Sequence, residues 1–243
     1  MTPELIFYIL LFLVAMVYAA VGHGGASGYL ALMALFNMAP AQMKPTALLL
    51  NLFVSLTAFI QYYRGGHFRW SLFWPLALAS VPFAYLGGLI VVDDHLYKKI
   101  LGVLLLLPVA RFWFFQKMEP TEFRDADWRL SLLAGAVIGL LSGMIGIGGG
   151  ILLSPVLLLL QWSSQKQTAA ISAIFIFVNS MAGLAGQLTR GITFSQDMVL
   201  YVCLAFAGGL VGAWMGALRF RQEMLRNVLA LVLLVAAVKL ILT

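Results

Sequence analysis

Long apolar runs separated by short polar breaks dominate the chain, at residues 5–38, 45–62, 70–92, 100–115, 130–162, 168–188, 198–218 and 228–242. None shows strand alternation, and most are long enough for a membrane helix, which needs about 20 apolar residues to cross roughly 30 Å of hydrocarbon. The first and fifth runs are too long for one crossing: 5–38 as a single helix would extend roughly 50 Å. Between the fourth and fifth runs lies the densest cluster of charge in the protein, 116–129, which reads as a solvated linker. It divides the chain into a repeat over 1–115 and a second over 130–243.

The two halves share landmarks in the same order. Gly22, Gly24 and Gly25 of the segment VGHGGASG align with Gly146, Gly148 and Gly149 of IGIGGG, at an offset of 124 residues. Asn51 corresponds to Asn179 at an offset of 128, and the pair Arg64-Gly65 to Arg190-Gly191 at 126. Phe68 and Phe194 follow at equal distance.

Charge then fixes the crossing number. With four spans per half, Lys and Arg divide eight to seven between the two sides. If the glycine segments break the long runs into two embedded helices on opposite headings, each half has five. Lys44, Lys98, Lys99, Arg190 and Lys239 then lie on one side, and Arg64, Arg69, Arg111, Lys117, Arg124, Arg129, Lys166, Arg219, Arg221 and Arg226 on the other. That two-to-one bias marks the second side as cytoplasmic. The expected fold is an all-α polytopic membrane protein of two inverted repeats, each opening with a glycine-broken, discontinuous or re-entrant helix block. About 8–10 membrane helices would lie in the cell inner membrane, with the linker inside and both termini outside. The opening run lacks a basic leader region and a small-x-small cleavage site, and reads as a retained span.

Composition agrees. Of 243 residues, 63% are hydrophobic and 10% charged, with a mean hydropathy of +0.99; a soluble surface needs roughly 25–35% charged residues. The net charge of +6 is spread over the ends of the runs, so topology accounts for it and no nucleic-acid partner is implied. Cys203 is the single cysteine, no thiolate cluster or HExxH motif suggests a metal, and no cofactor is expected.

Clustered glycine is costly inside a helix, at about 1 kcal/mol per residue relative to Ala. Gly87-Gly88, Gly208-Gly209, Gly212 and Gly216 read as close-packing positions. The clusters at 22–28 and 146–150 are too dense for a packing ridge and read as unwound backbone, which lipid tolerates only where protein or a polar cavity covers it. The short helices that follow would point their N-termini inward, offering free N–H groups and roughly half a positive charge each. Such ends can hold an anion without a cationic side chain, and no Lys, Arg, Asp or Glu lies near the middle of any run. The candidate substrate-binding residues are therefore Gly22, His23, Gly24, Gly25, Ser27, Asn51, Ser142, Gly146, Gly148, Gly149, Gly150 and Asn179.

Within that set, Ser27 and Ser142 can donate to an oxyanion. Asn51 and Asn179 either line the site and brace the glycines or bond between helices. His23 is a proton partner, a neutral hydrogen bonder or a structural group. Ser55, Thr57, Ser80, Ser172 and Ser180 read as bonding their own helix backbones, Gln61 and Gln187 as weaker candidates near span ends. Arg64 and Arg190 read as snorkelling ends, with a vestibule role as the alternative. Trp70, Trp74, Trp113, Trp128 and Trp162 form an interfacial belt.

Other readings compete. A dinucleotide fold lacks its strand and acidic residue. Gly25-Ala26-Ser27-Gly28 fits the G-x-S-G signature of rhomboid-type intramembrane proteases, making a serine hydrolase with Ser27 as nucleophile an alternative; its base would have to be His23, because His67 and His95 lie in polar loops. A membrane scaffold without substrate is another.

The run from Ser142 to Gly150 (SGMIGIGGG), with Leu152, Leu153, Ser154 and Pro155, and the run from Phe177 to Gly183 (FVNSMAG) leading to Arg190-Gly191, resemble the TauE/SafE family of sulfite exporters. The resemblance covers essentially the whole chain and is stronger in the second half; in the first, His23 stands for Ile147 and Ala26 for Gly150. It implies export of sulfite or a small organosulfonate. Export is also the downhill direction for an anion, gaining about 2.3 kcal/mol per charge per 100 mV in a cell negative inside. The expected partners are this small anion and the lipid bilayer.

Overall fold

A computed structural model describes residues 3–20, 25–114, 123–192, 197–216 and 222–242. Among them there are ten helices and no strand. In the first half these are α1 (Pro3–Ala20), α2 (Ala26–Leu35), α3 (Pro40–Arg64), α4 (Trp70–Leu89) and α5 (Asp94–Phe114). The second half contains α6 (Trp128–Ile145), α7 (Gly150–Leu159), α8 (Gln165–Thr189), α9 (Asp197–Gly216) and α10 (Gln222–Leu242). Helix α6 begins within the charged stretch, because the Asp127 side chain accepts hydrogen bonds from the N–H groups of Arg129 and Leu130 and caps it.

Four helices, α3, α4, α6 and α8, are long and apolar enough to cross a membrane. The two of 25 residues, α3 and α8, run about 37 Å at 1.5 Å per residue. Helices α2 and α7 have ten residues each, about 15 Å, so neither spans a ~30 Å core. Every residue of α2 from Ala26 to Ala34 is inside the protein, whereas α7 buries six of its ten residues and exposes Leu159. The outer surface is apolar, with Trp74 62%, Leu78 63% and Leu133 61% exposed. Such side chains on every outward helix face require lipid as the surrounding medium.

Packing is built on glycine. Gly135, Gly139 and Gly143 of α6, one turn apart, press on the carbonyl oxygens of Leu76, Ser80 and Ala84 of α4, also one turn apart. Gly88 lies against the Gly183 carbonyl of α8, and Gly208 and Gly212 of α9 against the Phe12 and Met16 carbonyls of α1. Small residues at four-residue spacing let backbones approach in this way. Gly87, Gly88, Gly208 and Gly212 thus act as the sequence predicts, whereas Gly209 has open space out to Val54 at 3.7 Å. Besides these pairs, α3 packs on α8 and α9, α5 on α10, α2 on α3 and α10, and α7 on α8 and α5.

Candidate functional site

Helix α6 stops where the backbone turns left-handed. Gly146 has φ +88° and is followed by buried Ile147, then by Gly148 and Gly149 with φ +76° and +78°. An L-residue in that region costs roughly 1–2 kcal/mol, so three such positions within four residues require glycine. The Gly146 N–H closes α6 onto the Ser142 carbonyl at 2.8 Å, and the chain re-enters helix at Gly150. The N-cap of α7 is Gly149, with no side-chain capping bond. Its first N–H groups therefore have neither an intrahelical acceptor nor a side-chain cap.

This turn is wedged between the two longest helices. A Cβ on Gly146 would meet the Lys44 backbone of α3 at 3.0 Å. One on Gly148 would stand 2.7 Å from Asn51 Nδ2, 2.9 Å from Ile176 Cγ2 and 3.2 Å from Ser180 Oγ. One on Gly149 would meet Phe175 at 2.9 Å and Ile138 at 3.0 Å. The uncapped end of α7 thus faces amide and hydroxyl groups of α3 and α8, packed among apolar walls.

Those polar groups are buried and unsatisfied. Asn51 is fully buried with neither Nδ2 nor Oδ1 hydrogen-bonded. Asn179 donates from Nδ2 to the Phe175 carbonyl at 2.8 Å and leaves Oδ1 unpaired. Ser55, Ser142 and Ser180, all fully buried, have unpaired hydroxyls. An unpaired amide or hydroxyl inside a protein costs about 1–3 kcal/mol, and two of them, Asn51 and Ser180, beside one uncapped helix end call for a polar occupant. Ser55 and Ser180 depart here from the expected bond to their own backbone. Ser172 pairs across helices with Ser154 at 2.9 Å, while Thr57 and Ser80 bond back to Val54 and Ala77 as expected. Among the described residues no group of His, Cys, Asp and Glu could hold a metal.

The first half is built differently. Gly22, His23 and Gly24 lie outside the described residues. Gly25 caps α2 with an ordinary φ of −71° and no side-chain capping bond, and the ring of Tyr29 folds back over it. Tyr29 is fully buried with its hydroxyl unpaired. The Ser27 hydroxyl pairs with Tyr18 OH at 2.6 Å. A serine nucleophile needs a base within such reach, and the position nearest Ser27 is taken by a phenol.

Helix register refines the correspondence between halves. Ser55 and Ser180 each stand fifteen residues beyond the first residue of their helices, Pro40 and Gln165, whereas Asn51 stands eleven beyond and Asn179 fourteen. Counted from the first residue of each helix, the two serines hold the same position and the two asparagines differ by three residues. Likewise Gly65 and Arg190 cap α3 and α8, so Gly66 and Gly191, with φ +72° and +80°, are the matched turn residues.

The family described as sulfite exporter TauE/SafE matches residues 7–240. A probable membrane transporter protein of Sinorhizobium fredii is 36% identical over 95% of this chain and 95% of its own. One of Bacillus subtilis is 24% identical over 86% of this chain and 87% of its own. Another, of Methanocaldococcus jannaschii, is 27% identical over 59% of this chain and 55% of its own. No solved structure matches the chain. An all-helical chain with an apolar exterior, matched nearly end to end by that family, belongs to the TauE/SafE family of membrane transporters.

Proposed function

We propose that this protein exports a small sulfur-containing oxyanion, sulfite or an organosulfonate, by alternating access between two inverted repeats. The carrying observation is the uncapped N-terminus of α7 at Gly149, beside the buried, unpaired Asn51 and Ser180. Backbone N–H groups and the helix dipole attract the anion. Asn51 Nδ2 and the Ser180 hydroxyl, the groups nearest Gly148, donate to its oxygens. The glycines of the first half, Gly22, Gly24 and Gly25, with His23 and Ser27, complete the site from the other repeat in this reading. Anion binding without a cationic partner leaves release easy, which transport requires.

Paired helix lengths support the repeat. Helices α2 and α7 have ten residues each, and α3 and α8 25 each. Exchanging the halves maps α4 on α6 to α9 on α1, α2 on α10 to α7 on α5, and α3 on α8 to itself, all of which are packed pairs. Asn37 and Gln161, the two non-glycine residues of positive φ among the described residues, follow α2 and α7 respectively. Five helices per half invert the second, with rocking of one half against the other as the motion.

Charge placement supports the orientation. Lys239 Nζ bonds the carbonyls at the end of α2, and Arg190 Nη1 bonds Ile90 O, on the face assigned outside. Arg69 Nη1 bonds Trp162 O, on the face assigned to the cytoplasm.

The test is sulfite flux into proteoliposomes containing the purified protein. Saturable flux, lowered in Asn51→Ala and Ser180→Ala at equal incorporation, is expected. A wild type that passes no anion would leave a scaffold, and serine-directed labelling of Ser27 would favour the hydrolase.

A further inference from the structure

A cavity with mostly apolar walls and a few charged and amide groups opens on the face that carries Lys44 and Arg190, beside the end of α6. It holds about 120 Å³, against roughly 10–15 Å³ for one water, room for a small oxyanion and several waters. Gly143, Met144 and Gly88 line it, so it begins where α6 runs into the glycine turn; Gly146 itself rests on the Lys44 backbone.

Its charges are unequal. Lys44 and Arg190 contribute two cations and Asp94 one carboxylate. The Lys44 ammonium lies 4.5 Å from the Tyr97 ring centroid, held by a cation–π contact that leaves N–H groups for another acceptor. Arg190 gives Nη1 to Ile90 O at 3.4 Å, a long bond that engages one of its five N–H donors. Gln187 also lines the cavity; it is 3% exposed and its Nε2 has no partner. A buried amide donor left open beside two cations suits an anion.

We propose that Lys44, Arg190 and Gln187 form a second oxyanion subsite, a station between the glycine-turn site and the water outside. It rests on the export reading for its role and on this cavity alone for its existence. The cations raise the local concentration of the cargo on its way across, and the single carboxylate keeps the affinity low enough for exit.

The test uses sulfite in proteoliposomes at zero membrane potential and low salt. Arg190→Gln should raise the apparent KM roughly three-fold, as suits an exposed charge. Lys44→Gln, at a half-buried cation, should raise it about ten-fold. Asp94→Asn should lower it, and Lys99→Gln, exposed on the same helix as Asp94 and not lining the cavity, should leave it unchanged. Maximal rates should hold throughout, and Arg190→Lys should restore most of the loss. A merely structural role would move Arg190→Gln and Asp94→Asn the same way. That result, or an unchanged KM in both, overturns the subsite. If the wild type moves no sulfite, the export reading fails, and the subsite is read from sulfite protection against thermal unfolding in detergent, where the same opposed shifts are expected and their absence refutes it.

Discussion

Replacing Gly148 by alanine adds one methyl group beside the polar groups of the candidate site. Two costs combine. The φ of +76° disfavours an L-residue by roughly 1–2 kcal/mol. The new Cβ also lands 2.7 Å from Asn51 Nδ2 and 2.9 Å from Ile176 Cγ2, overpacking that costs about 1–3 kcal/mol. Gly191→Ala separates the two costs, because Gly191 has φ +80° with nothing within 4 Å of its Cβ position. It should cost about 1–2 kcal/mol, from backbone strain alone. Gly148→Ala should therefore lose about 1–3 kcal/mol more, a drop of roughly 5- to 150-fold in the folding equilibrium. Reversible denaturation of the purified protein in detergent measures both variants, and sulfite flux measures function. Gly148→Ala should be nearly inactive even at temperatures where it is fully folded, because the methyl occupies the space beside Asn51; Gly191→Ala should remain active. Equal stability of the two with full flux through Gly148→Ala would refute both the crowding and the placement of the anion.

Other consequences concern neighbouring contacts. Asn179→Ala should reduce flux more than Ser172→Ala at equal expression, since Asn179 Oδ1 is unpaired whereas Ser172 is engaged with Ser154; equal losses would count against the site. Gly139→Ala should destabilise the α4–α6 seam by about 1–3 kcal/mol, as its Cβ would strike the Ser80 backbone, while Gly209→Ala, with 3.7 Å to Val54, should be tolerated in the same denaturation assay. Tyr97→Phe removes the bond at 2.9 Å from the buried hydroxyl to Ile145 O and should cost about 1–2 kcal/mol. Lys239→Met leaves the last carbonyls of α2 without their cation and should cost about 1 kcal/mol, read as a lower melting temperature.

Most of the architecture is legible because lipid imposes coarse rules. Run length locates the helices, and the distribution of fifteen Lys and Arg favours ten over eight; ten is the number found among the described residues. Register is less legible. Matching Arg64-Gly65 to Arg190-Gly191 by identity is one residue off the helix ends, where Gly65 and Arg190 are the caps, because loops absorb insertions that identity cannot place. Pairing Asn51 with Asn179 obscures Ser55 and Ser180, since a lone serine in a span ordinarily bonds its own backbone. The ridge of Gly135, Gly139 and Gly143 emerges only in the folded protein, since which helix it meets depends on tertiary packing. Gln187 becomes significant only through the cavity that Lys44, Asp94 and Arg190 close from three different helices.

The account turns on whether main-chain amides hold the cargo. Nitrogen-15 glycine labelling of the purified protein, titrated with sulfite and followed by NMR, reads those amides directly. Saturable shifts at Gly148, Gly149 and Gly150, absent with chloride and with an apparent Kd that tracks the transport KM, are predicted. Glycine signals that stay in place at sulfite concentrations that protect the protein against thermal unfolding would contradict the account.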